Sequence, residues 1–251
     1  MEERLNKWLS QMGVCSRREA DRLIEAGKVL VDNRPASMGQ KVTPGQKVVC
    51  NGKMVRVDRS QRPRPVLLAV NKPKGIVCTT TDKDRAENIV DFLGYPERIY
   101  PVGRLDKDSE GLLLMTNQGD LVNKIMRSGN AHEKEYIVTI DKPVTERFLE
   151  QMAGGIRLPE LDQVTRPCKV KKVERNTFSI ILTQGLNRQI RRMCEACGCQ
   201  VKCLVRVRIM NIRLGNLRTG AYRQITKEEY EELTGLLKDS SSLSLKERKN
   251  Q

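Results

Sequence analysis

Hydrophobic residues recur along the chain at two different periods, and each period predicts one type of secondary structure. In the first 57 residues, apolar positions at helical spacing predict two short helices. The second helix is predicted to begin at Ser16, because Ser16 and Glu19 have the spacing of a capping box. Short strands are predicted at 29–31 and 47–49, with a turn at Asp32-Asn33 after the first of them.

Beyond residue 66 the two periods are mixed. Alternating or continuous apolar runs predict strands at 66–70, 76–79, 111–115, 136–140, 169–173 and 178–182. Helical spacing predicts helices at 88–92, 120–126, 145–152, 188–196 and 226–237. Strands outnumber helices and do not alternate regularly with them. The pattern therefore favours an α+β fold with a mixed, mostly antiparallel sheet.

Changes in composition divide the chain of 251 residues into parts. We expect a small helix–helix–strand domain at 1–57 and a linker at 58–65, where two prolines disfavour helix and central strand. A larger domain follows at 66–237. The remaining residues, 238–251, are rich in Ser and Lys and are predicted to be a disordered tail.

The excess of basic residues indicates which kind of partner the protein binds. Lys and Arg number 46 against 31 Asp and Glu, which gives a formal net charge of +15 at pH 7. Such an excess favours a polyanion, because basic side chains that neutralise phosphates release counterions. A merely soluble basic protein remains the alternative at this point.

The chain shows no sign of export or membrane insertion. It begins with acidic residues rather than an apolar signal sequence, and no apolar run approaches the roughly 20 residues of a membrane span. With no export signal, the eight cysteines are expected to be reduced thiols in the cytoplasm.

Four of the cysteines, at 194, 197, 199 and 203, lie close together, and Cys194 and Cys197 have the spacing of zinc ligands. This stretch overlaps a predicted helix, however, whereas structural zinc sites usually oppose two separated knuckles. Buried free cysteines are therefore favoured over zinc, and no metal is predicted. The single histidine, His132, excludes sites that require several histidines.

One acidic loop has the form of a catalytic site. Asp106 precedes the apolar strand predicted at 111–115, and Arg104 and Lys107 flank it. Neighbouring cations favour the ionised form of a carboxyl group. From these residues alone the loop could equally be an ordinary Asp-rich turn.

The same loop resembles a family signature. Residues 103–113 (GRLDKDSEGLL) are similar to the signature of the RsuA/RluB/RluF group of pseudouridine synthases. Three further segments resemble motifs of that group in the expected order: 71–75 (NKPKG), 134–136 (KEY) and 185–193 (GLNRQIRRM). The resemblance covers essentially residues 1–237.

The resemblance implies that the protein converts a uridine of RNA to pseudouridine without a cofactor. It implies that Asp106 acts on the ribose of an extruded uridine, either by attack on C1′ or by removal of a proton from C2′. Arg191 is expected to pair with Asp106 and lower the pKa of its carboxyl group. Tyr136 is expected to stack on the base, although a lone strand tyrosine is usually a core residue.

Other basic residues of the matched motifs are expected to support the pocket or contact RNA: Arg104, Lys134, Arg188 and Arg192. Within the group the chain looks most like the RluF type. That likeness implies a site in 23S rRNA near the peptidyl-transferase centre, in the RNA or in a precursor of the large subunit. It leaves open a tRNA as a second substrate. A monomer is expected.

The first domain resembles the S4 RNA-binding module at residues 4–9, 16–20 and 24–31. The resemblance implies that its second helix and the following turn lie on structured RNA. The implied phosphate contacts are Arg4, Lys7, Ser16, Arg17, Arg18 and Lys28. A solvated basic face is the alternative for these residues.

Two other functions compete with the isomerase. A non-catalytic ribosome-associated protein that docks through its S4-like module would explain the charge but not the Asp106 loop. A metal-dependent phosphodiesterase would use Asp106 and Asp108, but two carboxylates and one histidine are few for a two-metal site.

Overall fold

The computed structural model describes residues 2–55, 64–79 and 86–240. The helices are α1 (Leu5–Gln11), α2 (Arg17–Glu25), α3 (Ile89–Leu93), α4 (Gly119–Met126), α5 (Glu146–Gly154), α6 (Gln189–Ala196) and α7 (Lys227–Leu236). Most of the predicted linker at 58–65 and of the predicted tail at 238–251 lies outside the described residues.

The first nine strands are β1 (Glu3–Arg4), β2 (Val29–Val31), β3 (Arg34–Pro35), β4 (Lys41–Val42), β5 (Val48–Cys50), β6 (Lys53–Val55), β7 (Leu67–Lys72), β8 (Tyr100–Val102) and β9 (Glu110–Thr116). The others are β10 (Lys134–Ile140), β11 (Arg157–Leu158), β12 (Gln163–Val164), β13 (Lys169–Glu174), β14 (Thr177–Leu182), β15 (Val201–Ile209), β16 (Ile212–Arg213) and β17 (Tyr222–Gln224).

The described residues form two compact units. The first consists mainly of the residues before 67, together with 95–99 and 117–119, and the second contains the rest. In the first unit, α1 and α2 share an apolar core with a four-stranded sheet of order β3-β2-β5-β6. Ser16 accepts a hydrogen bond from the backbone N–H of Glu19, so α2 begins where the sequence predicts. Asp32 and Asn33 both have positive φ, as a tight hairpin between β2 and β3 requires.

A nine-stranded sheet organises the second unit. Seven strands follow the order β13-β14-β10-β15-β9-β7-β17, with β16 paired to β15 and β8 paired to β9. Among the pairings of the described strands, β9 with β15 is parallel and the rest are antiparallel. The prediction of a mixed, mostly antiparallel α+β fold is confirmed.

Two apolar clusters fix the helices to this sheet. One joins α5 and α6 to β10 and β14, and the other joins α4 and α7 to β7 and β9. Every residue of β7 is buried, as are six of the seven residues of β9. These two paired strands therefore form a rigid platform, and β9 begins immediately after the Asp106 loop.

Two departures from the predicted elements bear on function. The predicted strand at 76–79 is wrong, since Val77 makes only one isolated bridge, to Asn88. The long strand β15 is absent from the predicted strands, although its apolar residues alternate with Lys and Arg. In the structure β15 joins β10 to β9 in the middle of the sheet.

Gly111 permits the close approach of β9 and β15. It pairs with Arg206 across the parallel register and has φ +104°. A Cβ atom at this position would lie 2.7 Å from the backbone nitrogen of Arg206. Only glycine meets both conditions without strain.

We predict that Gly111→Ala lowers the free energy of unfolding by roughly 2–4 kcal/mol, because it adds backbone strain to a steric clash. Chemical denaturation of the purified variant measures this change. The matched control is Gly235→Ala inside α7, where a Cβ would meet nothing within 4 Å. That variant should gain up to about 1 kcal/mol from helix propensity. Equal stability of the two variants would contradict the packing argument.

Candidate active site

A cavity of about 280 Å³ opens in the second unit beside the Asp106 loop. Its walls come from the loop at 103–109, the start of α6, and the strands β10 and β15. The sequence-predicted residues that line it are Arg104, Asp106, Lys134, Tyr136, Arg188 and Arg191. The tertiary structure thus brings together three motifs that are up to about 90 residues apart in the chain.

Hydrogen bonds from remote segments hold the loop. The backbone N–H of Leu105 donates to Sγ of Cys78 at 3.4 Å, and the N–H of Gly75 donates to the carbonyl of Lys107 at 2.7 Å. Within the loop, the N–H of Ser109 donates to the carbonyl of Asp106 at 3.1 Å. The backbone around Asp106 is therefore preorganised.

Two arginines of the 185–193 motif lie close to the carboxylates of the loop, which belong to Asp106 and Asp108. Both terminal nitrogens of Arg188 donate to Asp108, at 3.3 and 3.4 Å, and Nη1 also lies 3.9 Å from Oδ2 of Asp106. Arg191 donates to the carbonyl of Asp108 at 3.1 Å and to Oγ of Ser109 at 3.3 Å. Its Nη2 also lies 3.3 Å from Oδ2 of Asp108.

These contacts correct the partner predicted for Asp106. The ion pair that Asp106 forms within the described residues is with Arg188, while Arg191 pairs with Asp108. The two arginines differ in position: Arg188 immediately precedes α6 and has φ +50°, whereas Arg191 lies in the first turn of the helix. Arg191 remains beside the site as a nearly buried cation, with its side chain 11% exposed.

Asp108 is ionised in this arrangement. Partial burial raises the pKa of its carboxyl group, but the hydrogen bonds from Arg188 and the charges of Arg191 and Arg188 outweigh this effect and hold the pKa below its ordinary value. Asp108 thereby serves as the common acceptor for both arginines. It positions them beside Asp106.

Tyr136 and Lys134 project from the same face of β10, since they are two residues apart on one strand. Tyr136 is half-buried against the apolar cluster of α5 and α6, and it also lines the cavity. Lys134 is buried, and its Nζ donates to the carbonyl of His132 at 3.4 Å. Burial and then the charge of Arg206 lower the pKa of Lys134 to about 8.

Arg206 lines the cavity but was not among the predicted site residues. It lies in β15 opposite Tyr136 and is 2% exposed. Its Nε donates to the carbonyl of Leu112 at 2.7 Å, and its Nη1 donates to the carbonyl of Arg104 at 3.4 Å. An arginine at an inward position of an otherwise alternating apolar strand is the signal that could have revealed it.

Arg192 does not line the cavity. Its guanidinium binds the carboxylate of Glu160 at 2.7 Å and both the carbonyl and the side chain of Asn187. It therefore braces the turn before α6 in this structure.

In the first unit, the predicted RNA contacts lie in β1, α1 and α2, at the cap of α2 and in the turn before β2. Arg4, Arg17, Arg18 and Lys28 are exposed, while Lys7 lies 3.3 Å from the carboxylate of Glu3. The hydroxyl of Ser16 caps α2, so its observed role is structural.

The cysteine cluster is divided between interior and surface. Cys194 and Cys199 are buried, Cys197 and Cys203 are half-buried, and all four thiols are free. Burial raises the pKa of the Cys194 thiol. Within residues 2–55, 64–79 and 86–240, no group of three or more His, Cys, Asp or Glu side chains is placed to hold a metal ion. In the same ranges, no helix is long and apolar enough to cross a membrane.

The fold and the site define a class of protein. A mixed sheet that presents one aspartate, a tyrosine and several arginines around a cavity, in a chain with an N-terminal helix–helix–strand unit, is the arrangement expected of an RNA uridine isomerase. Residues 66–196 match the RNA pseudouridylate synthase family, and residues 3–48 match the S4 domain. The chain belongs to the RNA pseudouridylate synthase family and is an RNA pseudouridine synthase.

Individual relatives agree. The chain is 52% identical over 239 residues to the dual-specificity RNA pseudouridine synthase RluF of Escherichia coli (strain K12), a match that spans 95% of this chain and 81% of that protein. It is 36% identical to the ribosomal large subunit pseudouridine synthase B of Bacillus subtilis (strain 168), over 93% of this chain and 96% of that protein. A crystal structure of a pseudouridylate synthase superposes with a TM-score of 0.67 at 27% identity, covering 92% of this chain and 99% of that one. These findings do not support the non-catalytic alternative.

We predict that the activity falls as the pH rises through about 8, because Lys134 is protonated below its pKa and neutral above it. Loss of this charge removes a cation from the cavity wall. Initial rates on an RNA substrate between pH 7 and pH 10 measure the effect.

Lys134→Arg should keep its charge and lose the alkaline decline, whereas the exposed control Lys171→Arg should keep the wild-type profile. An unchanged decline in Lys134→Arg would show that another group titrates.

Proposed function

We propose that this enzyme isomerises a uridine of 23S rRNA near the peptidyl-transferase centre, with Asp106 acting on the ribose of an extruded nucleotide. The observation that carries the proposal is the position of Asp106: its half-buried carboxylate lies at a cavity lined by Tyr136 and by several cations. The large-subunit name of the Bacillus subtilis relative supports an rRNA substrate. The name of the Escherichia coli relative, a dual-specificity RNA pseudouridine synthase, supports a second target, for which we propose a tRNA.

The reaction requires few groups beyond these residues. The N1–C1′ bond breaks, the base turns, and C5 joins C1′. The reaction has no net redox change and uses no group donor, so the proposal includes no cofactor. Asp106 must be ionised whether it attacks C1′ or removes the proton from C2′. Nη1 of Arg188 lies 3.9 Å from the carboxylate, so a cation stands beside that negative charge.

Tyr136 is proposed to stack on the extruded base, which must leave its helix to be reached. The tyrosine is suited to this role because it lines the cavity on the rigid strand β10 and is not fully buried in the core. Arg191 is proposed as a positioning residue that acts through Asp108, and Arg188 takes over the direct pairing first expected of Arg191.

The phosphate backbone is proposed to bind on two surfaces. In the first unit the contacts are Arg4, Lys7, Arg17, Arg18 and Lys28, with Ser16 at the start of α2. Around the cavity they are Arg104, Lys134 and Arg188, with Arg192 available if RNA displaces it from Glu160. We also infer a cytoplasmic monomer, because an rRNA substrate is made in the cytoplasm and the cavity is complete within one chain.

Asp106→Asn should abolish pseudouridine formation, with a loss of at least about 10⁴-fold, because the amide neither attacks C1′ nor removes a proton. RNA affinity should stay within about threefold of wild type, since the substitution removes no cation. Mapping of pseudouridine in 23S rRNA from cells with and without the protein identifies the target position.

The control for this variant is Asp162→Asn, an exposed position in a left-handed turn that asparagine tolerates. It should retain full activity. Residual turnover by Asp106→Asn at the wild-type rate would mean that another residue does the chemistry, and unchanged rRNA maps would mean that another RNA is the substrate.

Replacing Arg4, Lys7, Arg17 and Arg18 together by glutamine should weaken RNA binding and flatten its dependence on salt. Loss of four phosphate contacts predicts a change of about 3 in the slope of log K against log salt concentration. Filter binding at several salt concentrations measures this slope.

The control variant is Lys227→Gln on α7. It removes one exposed lysine that is not a predicted RNA contact and that pairs with Glu231. Its slope should match that of the wild type. If the quadruple variant also keeps the wild-type slope, the second unit holds the RNA by itself.

A further inference from the structure

Three residues that line the cavity each carry one buried polar atom that makes no hydrogen bond within the described residues: Nη2 of Arg206, Nε2 of Gln184 and Nε of Arg191. All three are donors. A buried donor without an acceptor costs about 1–3 kcal/mol, so such groups are rare unless a ligand completes them. The cavity therefore suits a ligand that presents acceptor atoms.

The other polar atoms of these side chains are already used. Oε1 of Gln184 accepts from the backbone N–H of Arg166 at 3.2 Å, which leaves its Nε2 as the atom with no partner. Arg206 commits Nε to Leu112 and Nη1 to Arg104, which leaves Nη2. The free donors are thus set by the fold.

The charge on this wall is also uncompensated. Arg206 and Lys134 are both buried, and neither takes part in an ion pair among the described residues. Each cation makes the other's charge more costly, which is part of why the pKa of Lys134 falls. A ligand that carries negative charge at this wall would relieve both.

We propose that Arg206 binds a carbonyl oxygen of the target uracil through Nη2 and stabilises the negative charge that forms on the base when the N1–C1′ bond breaks. Lys134 adds to the same positive field. The assignment rests on the proposed extrusion of uridine into this cavity. It adds a residue that acts on the base, whereas Asp106 acts on the sugar.

The electron count supports this role. When the N1–C1′ bond breaks, its electron pair goes to N1, and conjugation spreads the charge onto O2 and O4 of the ring. A hydrogen bond from Arg206 to either oxygen is stronger to that anion than to the neutral base, so it lowers the barrier. C5 then bonds to C1′ as the bond between Asp106 and C1′ breaks or, in the other route, as the proton returns to C2′. C5 loses its proton and N1 takes one up, so the composition of the base is unchanged.

A base fits this wall better than a phosphate does. Arg206 is 2% exposed and lies opposite Tyr136 on the neighbouring strand, where an extruded ring stacked on the tyrosine would reach. The exposed cations Arg104 and Arg188 lie where a phosphate backbone can meet them.

The test replaces one oxygen of the base at a time. Synthetic 23S rRNA fragments carry uridine, 2-thiouridine or 4-thiouridine at the target, and single-turnover rates are measured for wild type, Arg206→Lys and Arg208→Lys. Arg208 is the matched control, because it lies on the same strand but pairs with Glu133 and Glu135 away from the cavity. Thermal unfolding of each variant reports whether it folds.

We expect one thio substitution to slow the wild-type enzyme by about tenfold, because sulfur is a weaker acceptor than oxygen. Arg206→Lys should lose about 100-fold on uridine, as loss of a preorganised donor does, and should no longer distinguish the sensitive thio substrate from uridine. Arg208→Lys should keep the wild-type ratio.

A wild-type ratio in Arg206→Lys would overturn the assignment and leave Arg206 as a structural support of the loop. If Arg206→Lys does not fold, the wild-type enzyme still decides the question, since equal rates on all three substrates exclude a contact to O2 or O4. If the wild-type enzyme does not convert the 23S fragment, this result counts against 23S rRNA as the substrate but not against the role of Arg206. In that event the same three nucleotides are compared in a tRNA that the enzyme converts.

Discussion

The whole site depends on the hydrogen bonds that fix the loop at 103–109 onto the platform of β7 and β9. A carboxylate that must meet C1′ or C2′ of a ribose tolerates little displacement, and a loop free to move would supply it only part of the time. Cys78, Gly75 and Arg206 each hold a different backbone group of this loop, and Gly111 allows β15 close enough for Arg206 to take part. The packing of the sheet thereby fixes the position of Asp106.

The same loop organises the charges around it. Asp108 binds Arg188 and Arg191 together, so two cations stand beside Asp106 without neutralising its charge by direct bidentate pairing. Lys134 and Arg206 supply further positive charge from the sheet. A net positive cavity suits a polyanionic substrate, and it also suits a base that becomes an anion during the reaction. The same positive charges therefore favour both RNA binding and the formation of the anionic base.

Several features followed from local patterns. The helical spacing of α1 and α2, the cap at Ser16, the apolar runs of β7, β9 and β14, and the capping box of α7 are properties of short segments. Short segments carry their own propensities, so these elements were predicted. β15 was missed because its Lys and Arg residues resemble a solvated stretch, although it pairs with β10 and β9 in the middle of the sheet. The strand predicted at 76–79 failed for the opposite reason, since this apolar run makes a single bridge, from Val77 to Asn88, among the described residues.

By itself, the sequence determined the kind of chemistry: it contains Asp106 in a matched loop, Tyr136 in a matched strand, and a basic run that follows them. Tertiary structure alone decided which cation meets which carboxylate. Arg188 rather than Arg191 pairs with Asp106, at 3.9 Å, while Arg191 pairs with Asp108. The approach of Arg206 to Tyr136 likewise depends on the pairing of β15 with β10. Distances between residues remote in the chain are set by packing, and no local pattern encodes them.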